Sequence, residues 1–522
     1  MFSLLRFAAL SFVFISVFTI QSLVAQPGAV QPDAVQPDAV QPGAVQPGAV
    51  QPGAAQPIAL HPDNSHYFIY QEEPTLLITS AEHYGAVLNL DFDYETYLET
   101  MQQEGMNYTR IFVGSYVEIP GSFNIGNNTL APAVNRFITP WNRTDEEGLY
   151  QGEKKFDLDE WNLEYFERLT SFIREADQRD IIVEVTFFCS TYADESWERN
   201  PFNSGNNVND IPEVDRKKSN TLANGSLTDY QKKMVAKIVT ELNAFDNIFY
   251  EIQNEPWSDD PQNALRTLKT LDPKGLSWAK WAQTASEASS EWQQVMVDQI
   301  VAAERNLTKK HLIAQNYANF KHSLEEVQDG VNVLNFHYAW PEAVWMNYAW
   351  DRPISFDESG FAGSSDTTYL RQAWQFIVAG GSVFNNLDYS FYVNHEDGKG
   401  SNDAPGGGST TLRQQLVYLH EFMESLDYIR MRPDFSTVVH SPGLETQCLA
   451  EAGQQYAIFL TGQATDWVKL NLPQGNFNYE FVSPFNGEAI DTGNISGSGE
   501  TIQLELPEFE HMVALRITQT TR

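Results

Sequence analysis

The feature that most limits what this chain can fold into is an alternation repeated between residues 75 and 423. Short β-branched or apolar runs recur as TLLITS (75–80), YTRIFVG (108–114), IIVEVTFF (181–188), NIFYEIQ (247–253), HLIAQN (311–316), VNVLNFH (331–337), PISFDE (353–358) and GSVFNNLD (381–388). Amphipathic stretches lie between them, among them YETYLETMQQEG, WNLEYFERLTSFIREADQR, YQKKMVAKIVTELNAF, WAKWAQTASEASSEWQQVMVDQIVAAERN and TYLRQAWQFIVAGG, and TLRQQLVYLHEFMESL follows the eighth run. Runs that are apolar on both faces suit parallel strands covered by helices. Eight such units in about 350 residues predict an α/β fold, a (β/α)8 TIM barrel. A doubly wound open sheet is the structural alternative, but no G-x-G-x-x-G follows the first run.

Composition changes on either side of this alternation. Residues 1–25 carry one Arg, an apolar run and a final Ala25, the pattern of a secretory signal peptide, so a secreted protein is expected: extracellular, periplasmic or tethered at the cell surface. An uncleaved membrane anchor is the other reading of the same residues, and no later stretch is long and apolar enough to span a bilayer. Residues 26–57 repeat QPGAV or QPDAV; with a proline in every unit and little to bury, they should form an extended tether. The barrel is expected over residues 58–427. From 428 to 522 the helical pattern stops, and YAIFLTG, WVKLNL, NYEFVSP, TIQLELP and HMVALRITQ lie between Gly, Pro and Asn turns. These predict a small antiparallel β-sandwich whose edge packs on the barrel.

Acidic residues outnumber basic ones 69 to 33, a net charge of -36, so the surface repels phosphate backbones and nucleic acid is not an expected partner. Cys189 and Cys448 could form a disulfide, but two distant cysteines do not require one. H-E-x-x-H, G-x-S-x-G and C-x-x-C are absent, and the sequence calls for neither a metal nor an organic cofactor. A monomer is expected.

In a barrel the C-terminal ends of the strands converge on one mouth, where activity resides. The fourth run ends in Asn254-Glu255-Pro256 and the seventh in Asp357-Glu358-Ser359-Gly360. Pro256 is expected to hold Glu255 extended at the lip. Strands four and seven oppose each other in an eight-strand ring, so the two carboxyls can face across the mouth. Two carboxyls about 5 Å apart are what a retaining glycosidase needs, one to attack the anomeric carbon and one to protonate the leaving oxygen. Either glutamate alone reads as a turn carboxylate; the pair at equivalent lips points to chemistry.

These paired signatures resemble those of clan A glycoside hydrolases, nearest in style to family 5 cellulases and mannanases, over the whole barrel. The resemblance implies Glu255 as acid/base, Glu358 as nucleophile and Asn254 as the ligand of the sugar 2-hydroxyl. It also matches Arg110 to an arginine near the nucleophile, where a cation keeps Glu358 ionised. The clan commonly places a His and a Tyr, one residue apart, after the sixth strand. Here His337 and Tyr338 are adjacent, so which of them faces inward stays open. His83, after the first run, is either a ligand of a sugar hydroxyl or a loop residue. Trp197, Trp257 and Tyr389 are candidates to stack on sugar faces, with core packing as the alternative. Trp197 lies in STYADESWERNPFNSGNNVND, a loop too long for a plain connection and expected to wall the cleft. NHEDGKGSNDAPGGGST reads as a flexible rim. The C-terminal module resembles a sandwich, labelled collagen-binding, that follows several secreted glycosidase barrels; a structural cap is expected here. The implied function is a secreted retaining β-glycosidase acting on an oligo- or polysaccharide such as a β-glucan or mannan. The alternatives are a non-catalytic carbohydrate-binding protein on a barrel scaffold and a transglycosylase.

Overall fold

The structure is a computed structural model that describes residues 56–266, 280–462 and 466–520. The signal segment and nearly all of the pentapeptide repeat lie outside the described residues. Every one of the eight apolar runs falls on a strand: Leu77–Ala81 (β1), Tyr108–Phe112 (β2), Ile182–Cys189 (β3), Ile248–Asn254 (β4), Ile313–Asn319 (β5), Val333–His337 (β6), Ile354–Glu358 (β7) and Val383–Leu387 (β8). They pair in the order β1-β8-β7-β6-β5-β4-β3-β2, all parallel. At the seam between β1 and β2 the Asn107 side chain donates to the Leu76 carbonyl at 2.7 Å and accepts from the Ile78 amide at 3.1 Å. This closes a barrel whose strands are buried throughout.

Burial on both faces explains the continuous apolar runs, and the polar interruptions within them face the barrel axis. Register sets those interruptions side by side: Arg110 opposite Glu184, Thr186 opposite Glu251, Asn316 opposite Asn335, and His337 opposite Glu358. The far end is closed by a short hairpin, Phe68–Tyr70 with Glu73–Thr75, which packs Phe68 against Tyr108, Ile182 and Phe249. Helices Leu163–Asp177, Leu227–Leu242, Glu287–Glu304, Asp366–Val378 and Thr410–Glu424 present apolar stripes to the strands. In Leu163–Asp177 the stripe is Tyr165, Leu169, Phe172, Ile173 and Ala176, spaced at three and four residues as one helical face requires.

The run beginning WAKWAQ departs from its helical expectation. Trp281–Thr284 is a strand paired antiparallel with Gln262–Arg266, and the helix starts only at Glu287. Thr284 pairs with Ala318 at the end of β5, and the Gln283 amide donates to Asn319 Oδ1 at 2.7 Å, so tertiary pairing overrides local helix propensity.

Residues beyond 431 form a six-stranded sheet and a three-stranded sheet. Side chains alternate along the strand Gln455–Gly462: Ile458 and Leu460 enter the core between the two sheets, whereas Ala457 and Phe459 join the core of the barrel. Phe459 stacks on Trp374 of Asp366–Val378, with ring centroids 5.4 Å apart. The sandwich therefore docks with a sheet face and not with an edge, and burying Phe459 alone contributes about 1.5–3 kcal/mol. Cys189, in β3, and Cys448, in the sandwich, are both buried free thiols.

Candidate active site

At the C-terminal ends of the strands, two pairs of adjacent residues both face the barrel mouth. In an extended strand neighbours point to opposite faces, so each pair needs a break in the backbone. Tyr338 supplies one with φ 50°, which turns its ring to the same side as His337. Glu255 supplies the other with φ 47° and ψ 54°. Pro256 was expected to keep Glu255 extended; the residue is instead left-handed, a strained state that its surroundings over-determine. The Glu255 amide donates to Asn316 Oδ1 at 3.1 Å, and Ser190 Oγ donates to the Glu255 carbonyl at 2.8 Å.

A carboxylate oxygen of Glu255, one of Glu358 and a ring nitrogen of His337 all lie within 4.8 Å of one another. His337 Nδ1 is 3.0 Å from Glu255 Oε1 and 3.5 Å from Glu358 Oε1, while Nε2 faces Asp357 Oδ2 at 3.3 Å. Burial disfavours a charged imidazole, but the charges of Glu358 and Asp357 outweigh it and push the His337 pKa well above its ordinary value. The two carboxylates thus favour the protonated form of the ring. Tyr338 donates to Glu358 Oε1 at 2.7 Å, and Arg110 Nη1 stands 3.4 Å from Oε2. Burial would raise the Glu358 pKa, yet His337, Arg110 and the Tyr338 hydroxyl together hold it down at about 2. On the other carboxyl, Tyr192 donates to Glu255 Oε2 at 2.7 Å, and Ser258 Oγ lies 3.3 Å away.

Beneath this pair the barrel axis holds a second acidic layer, Glu184, Glu251 and Asp357, already served by an internal cation. The Arg110 guanidinium donates through Nε to Glu251 at 2.9 Å and through Nη2 to the same carboxylate and to Asn254 Oδ1 at 2.8 Å. Asn335 Nδ2 reaches Glu184, Glu251 and Asp357 at 2.7, 2.9 and 3.2 Å. Glu184 accepts from Tyr108, and burial together with the charges of Glu251 and Asp357 drives its pKa far up.

The remaining sequence candidates separate clearly. Asn254 lines the mouth with Glu255 and Glu358, and its amide donates to the Tyr192 hydroxyl at 3.1 Å and to the Cys189 thiol at 3.3 Å. His83 also lines it. Trp257 is buried with its ring edge-on to His337 at 5.4 Å, so it backs the imidazole. Tyr389 is buried beside His83, with ring centroids 5.8 Å apart. Trp197 sits in the short helix Asp194–Arg199 and packs on the core; the residue of its long loop that reaches the site is Tyr192, three positions past β3. The glycine-rich stretch expected as a flexible rim is a packed one. Its Gly407 carbonyl accepts from the Tyr389 amide at 3.1 Å, and a Cβ on Gly406 would lie 2.0 Å from the Gly360 carbonyl oxygen. The sequence reading also missed Glu118, Phe123 and Phe361, which line the cavity from the loops after β2 and β7.

No protein-family model matches this chain, and no curated protein matches it. Its fold is shared with solved structures. A glycoside hydrolase family 5 protein from Bacteroides vulgatus superposes with a TM-score of 0.57 at 12% identity, over 89% of this chain and 93% of that one. Another structure, described only as a glycoside hydrolase, gives 0.54 at 11% identity over 90% of this chain and 98% of that one. At such identity the likeness establishes the fold, a barrel followed by a β-rich domain.

Proposed function

We propose that the protein is a retaining β-glycosidase acting on neutral β-linked glycans of the glucan or mannan type. The observation that carries this reading is the pair Glu255 and Glu358, with carboxylate oxygens inside 4.8 Å and the His337 ring shared between them. That spacing leaves no room for a water between carboxylate and sugar, as inversion requires, and suits direct attack by one carboxylate. The environments of the two carboxyls support a division of roles. Glu358, faced by His337, Arg110 and the Tyr338 hydroxyl, is the ionised nucleophile. Glu255 donates its proton to the glycosidic oxygen as the C–O bond breaks and the Glu358 ester forms. It then takes a proton from the water that attacks the ester. Asn254, fixed by Arg110, is placed to bind the sugar hydroxyl next to the anomeric carbon.

Glu255→Ala tests the acid/base role. On glycosides with poor leaving groups kcat/KM is expected to fall about 10²- to 10⁴-fold, and on activated aryl glycosides the first step should stay close to the parent rate. An equal loss on both classes would overturn the assignment. The reading includes export through residues 1–25, with the proline-rich repeat as a tether. N-terminal sequencing of material secreted by the native host is expected to begin near Gln26; a start at Met1 would contradict it.

A further inference from the structure

The cavity that contains Glu255 and Glu358 is small, about 30 Å³, and its walls are unequal. Phe123, in the loop after β2, crosses to Phe361, in the loop after β7, with ring centroids 6.1 Å apart, and meets Tyr192 at 5.0 Å. Phe361 continues the girdle to Tyr338 at 5.9 Å and Tyr389 at 6.5 Å. In the ring order, β1 and β8 lie between β2 and β7, so this bridge roofs the side of the mouth where His83 and Tyr389 sit. Among Glu255, His83, Glu358 and Glu118, Glu255 is the most open and Glu118 the most enclosed: 12% of the Glu255 side chain is exposed, 9% of His83, 7% of Glu358 and 3% of Glu118.

At the closed end stands a polar pair that the two-carboxylate chemistry does not use. Glu118 accepts from the Tyr116 hydroxyl at 2.9 Å and from Asn128 at 2.5 Å, and lies 3.4 Å from His83 Nε2. The other ring nitrogen of His83, Nδ1, is buried and has no hydrogen-bond partner among the described residues; the buried Tyr389 hydroxyl has none either. The loop after β1, which carries His83, and the loop after β2, which carries Glu118, are locked together. A Cβ on Gly85 would lie 2.3 Å from the Thr129 backbone, and Thr129 Oγ1 bonds both Glu82 and the His83 carbonyl. A carboxylate beside an imidazole in the lining of the cavity suits a pair of sugar hydroxyls, one donating to Glu118 and one engaging the His83 ring.

Resting on the glycosidase reading, we infer that Glu118 and His83 form the end wall of a pocket for one terminal sugar, and that the protein removes single residues from a chain end. The 30 Å³ present has room only for water, so a sugar beside Glu358 has to displace the Phe123 ring from its contact with Phe361, and the rest of its chain leaves on the more open Glu255 side. The test uses the full-length protein on reducing-end-labelled β-oligosaccharides and on aryl β-monosaccharides. Monosaccharide is expected as the first product from every chain length. Internal cleavage from the first time point would overturn the terminal-pocket inference while leaving the glycosidase reading intact, and no turnover of any glycoside would overturn that reading instead. Glu118→Gln should lower kcat/KM about 10²-fold on the parent aryl glycoside, yet less than about threefold on the one monodeoxy analogue that lacks the hydroxyl it binds. A uniform loss across all analogues would mark Glu118 as merely structural. Phe123→Ala, which opens the bridge, is expected to add disaccharide to the products; an unchanged profile would count against the roof.

Discussion

Glu358→Ala is expected to lower kcat by about five to six orders of magnitude on every substrate the parent accepts, the usual loss when a covalent nucleophile is removed. Azide is then expected to restore turnover and to yield the α-glycosyl azide. The configuration decides the role. With the carboxylate gone, a small anion can occupy the same face of the sugar and attack the anomeric carbon once, which inverts a β-glycoside. Glu255 still protonates the leaving oxygen, so only the first half of the double displacement is replaced. The site should accept an anion there, because the groups that hold Glu358 ionised remain: His337, the Arg110 guanidinium and the Tyr338 hydroxyl. The fold should persist as well, since Arg110 and His337 keep Asp357 and Arg110 keeps Glu251 as counter-charges. Measurable parent-like turnover without azide, or a β-configured azide product, would remove Glu358 from the nucleophile role.

Much of the architecture was legible because burial on both faces leaves a direct trace: the eight runs correspond one for one to β1–β8. The placement of Glu255 and Glu358 at strand ends followed from the same trace. What the pattern could not carry was local backbone geometry set by distant partners. Whether His337 or Tyr338 faced inward was open under an extended strand, and a left-handed Tyr338 makes both face inward. Pro256 pointed to an extended Glu255, yet Asn316 and Ser190, from β5 and the end of β3, hold it left-handed. The strand Trp281–Thr284 exists because β5 offers it an edge, which its own sequence does not announce. Glu118 and Tyr192 belong to long loops without periodicity. Their proximity to the carboxyls depends on the loops' return paths, and a proline- or glycine-spacing rule does not encode those.

Arg110→Met is expected to destabilise the fold by about 3–5 kcal/mol, because it removes one partner from a buried ionic set and leaves the others. Methionine replaces much of the apolar stem, so the loss reports on charge more than on volume. The wild-type guanidinium is fully buried, stacks over the Tyr84 ring at 4.7 Å, and faces Glu251, Asp357 and Glu358. Without it, Glu251 is left beside Asp357 in the barrel axis. Burial already raises the Glu251 pKa, and Arg110 counters that rise. In the variant the folded-state value moves further up, so the folded protein binds more protons than the unfolded chain. Stability must then fall as pH rises through the window between the ordinary carboxylate value and the raised one. Near pH 5 the orphaned carboxyls can stay neutral and the deficit is small; near pH 8 they are driven to ionise in a dry interior and it is largest. The Tm difference between parent and variant, followed by calorimetry from pH 5 to pH 8, is expected to widen with pH. A constant difference would mean that Arg110 contributes packing alone. A narrowing one would mean that the axial carboxylates find another cation once it is gone.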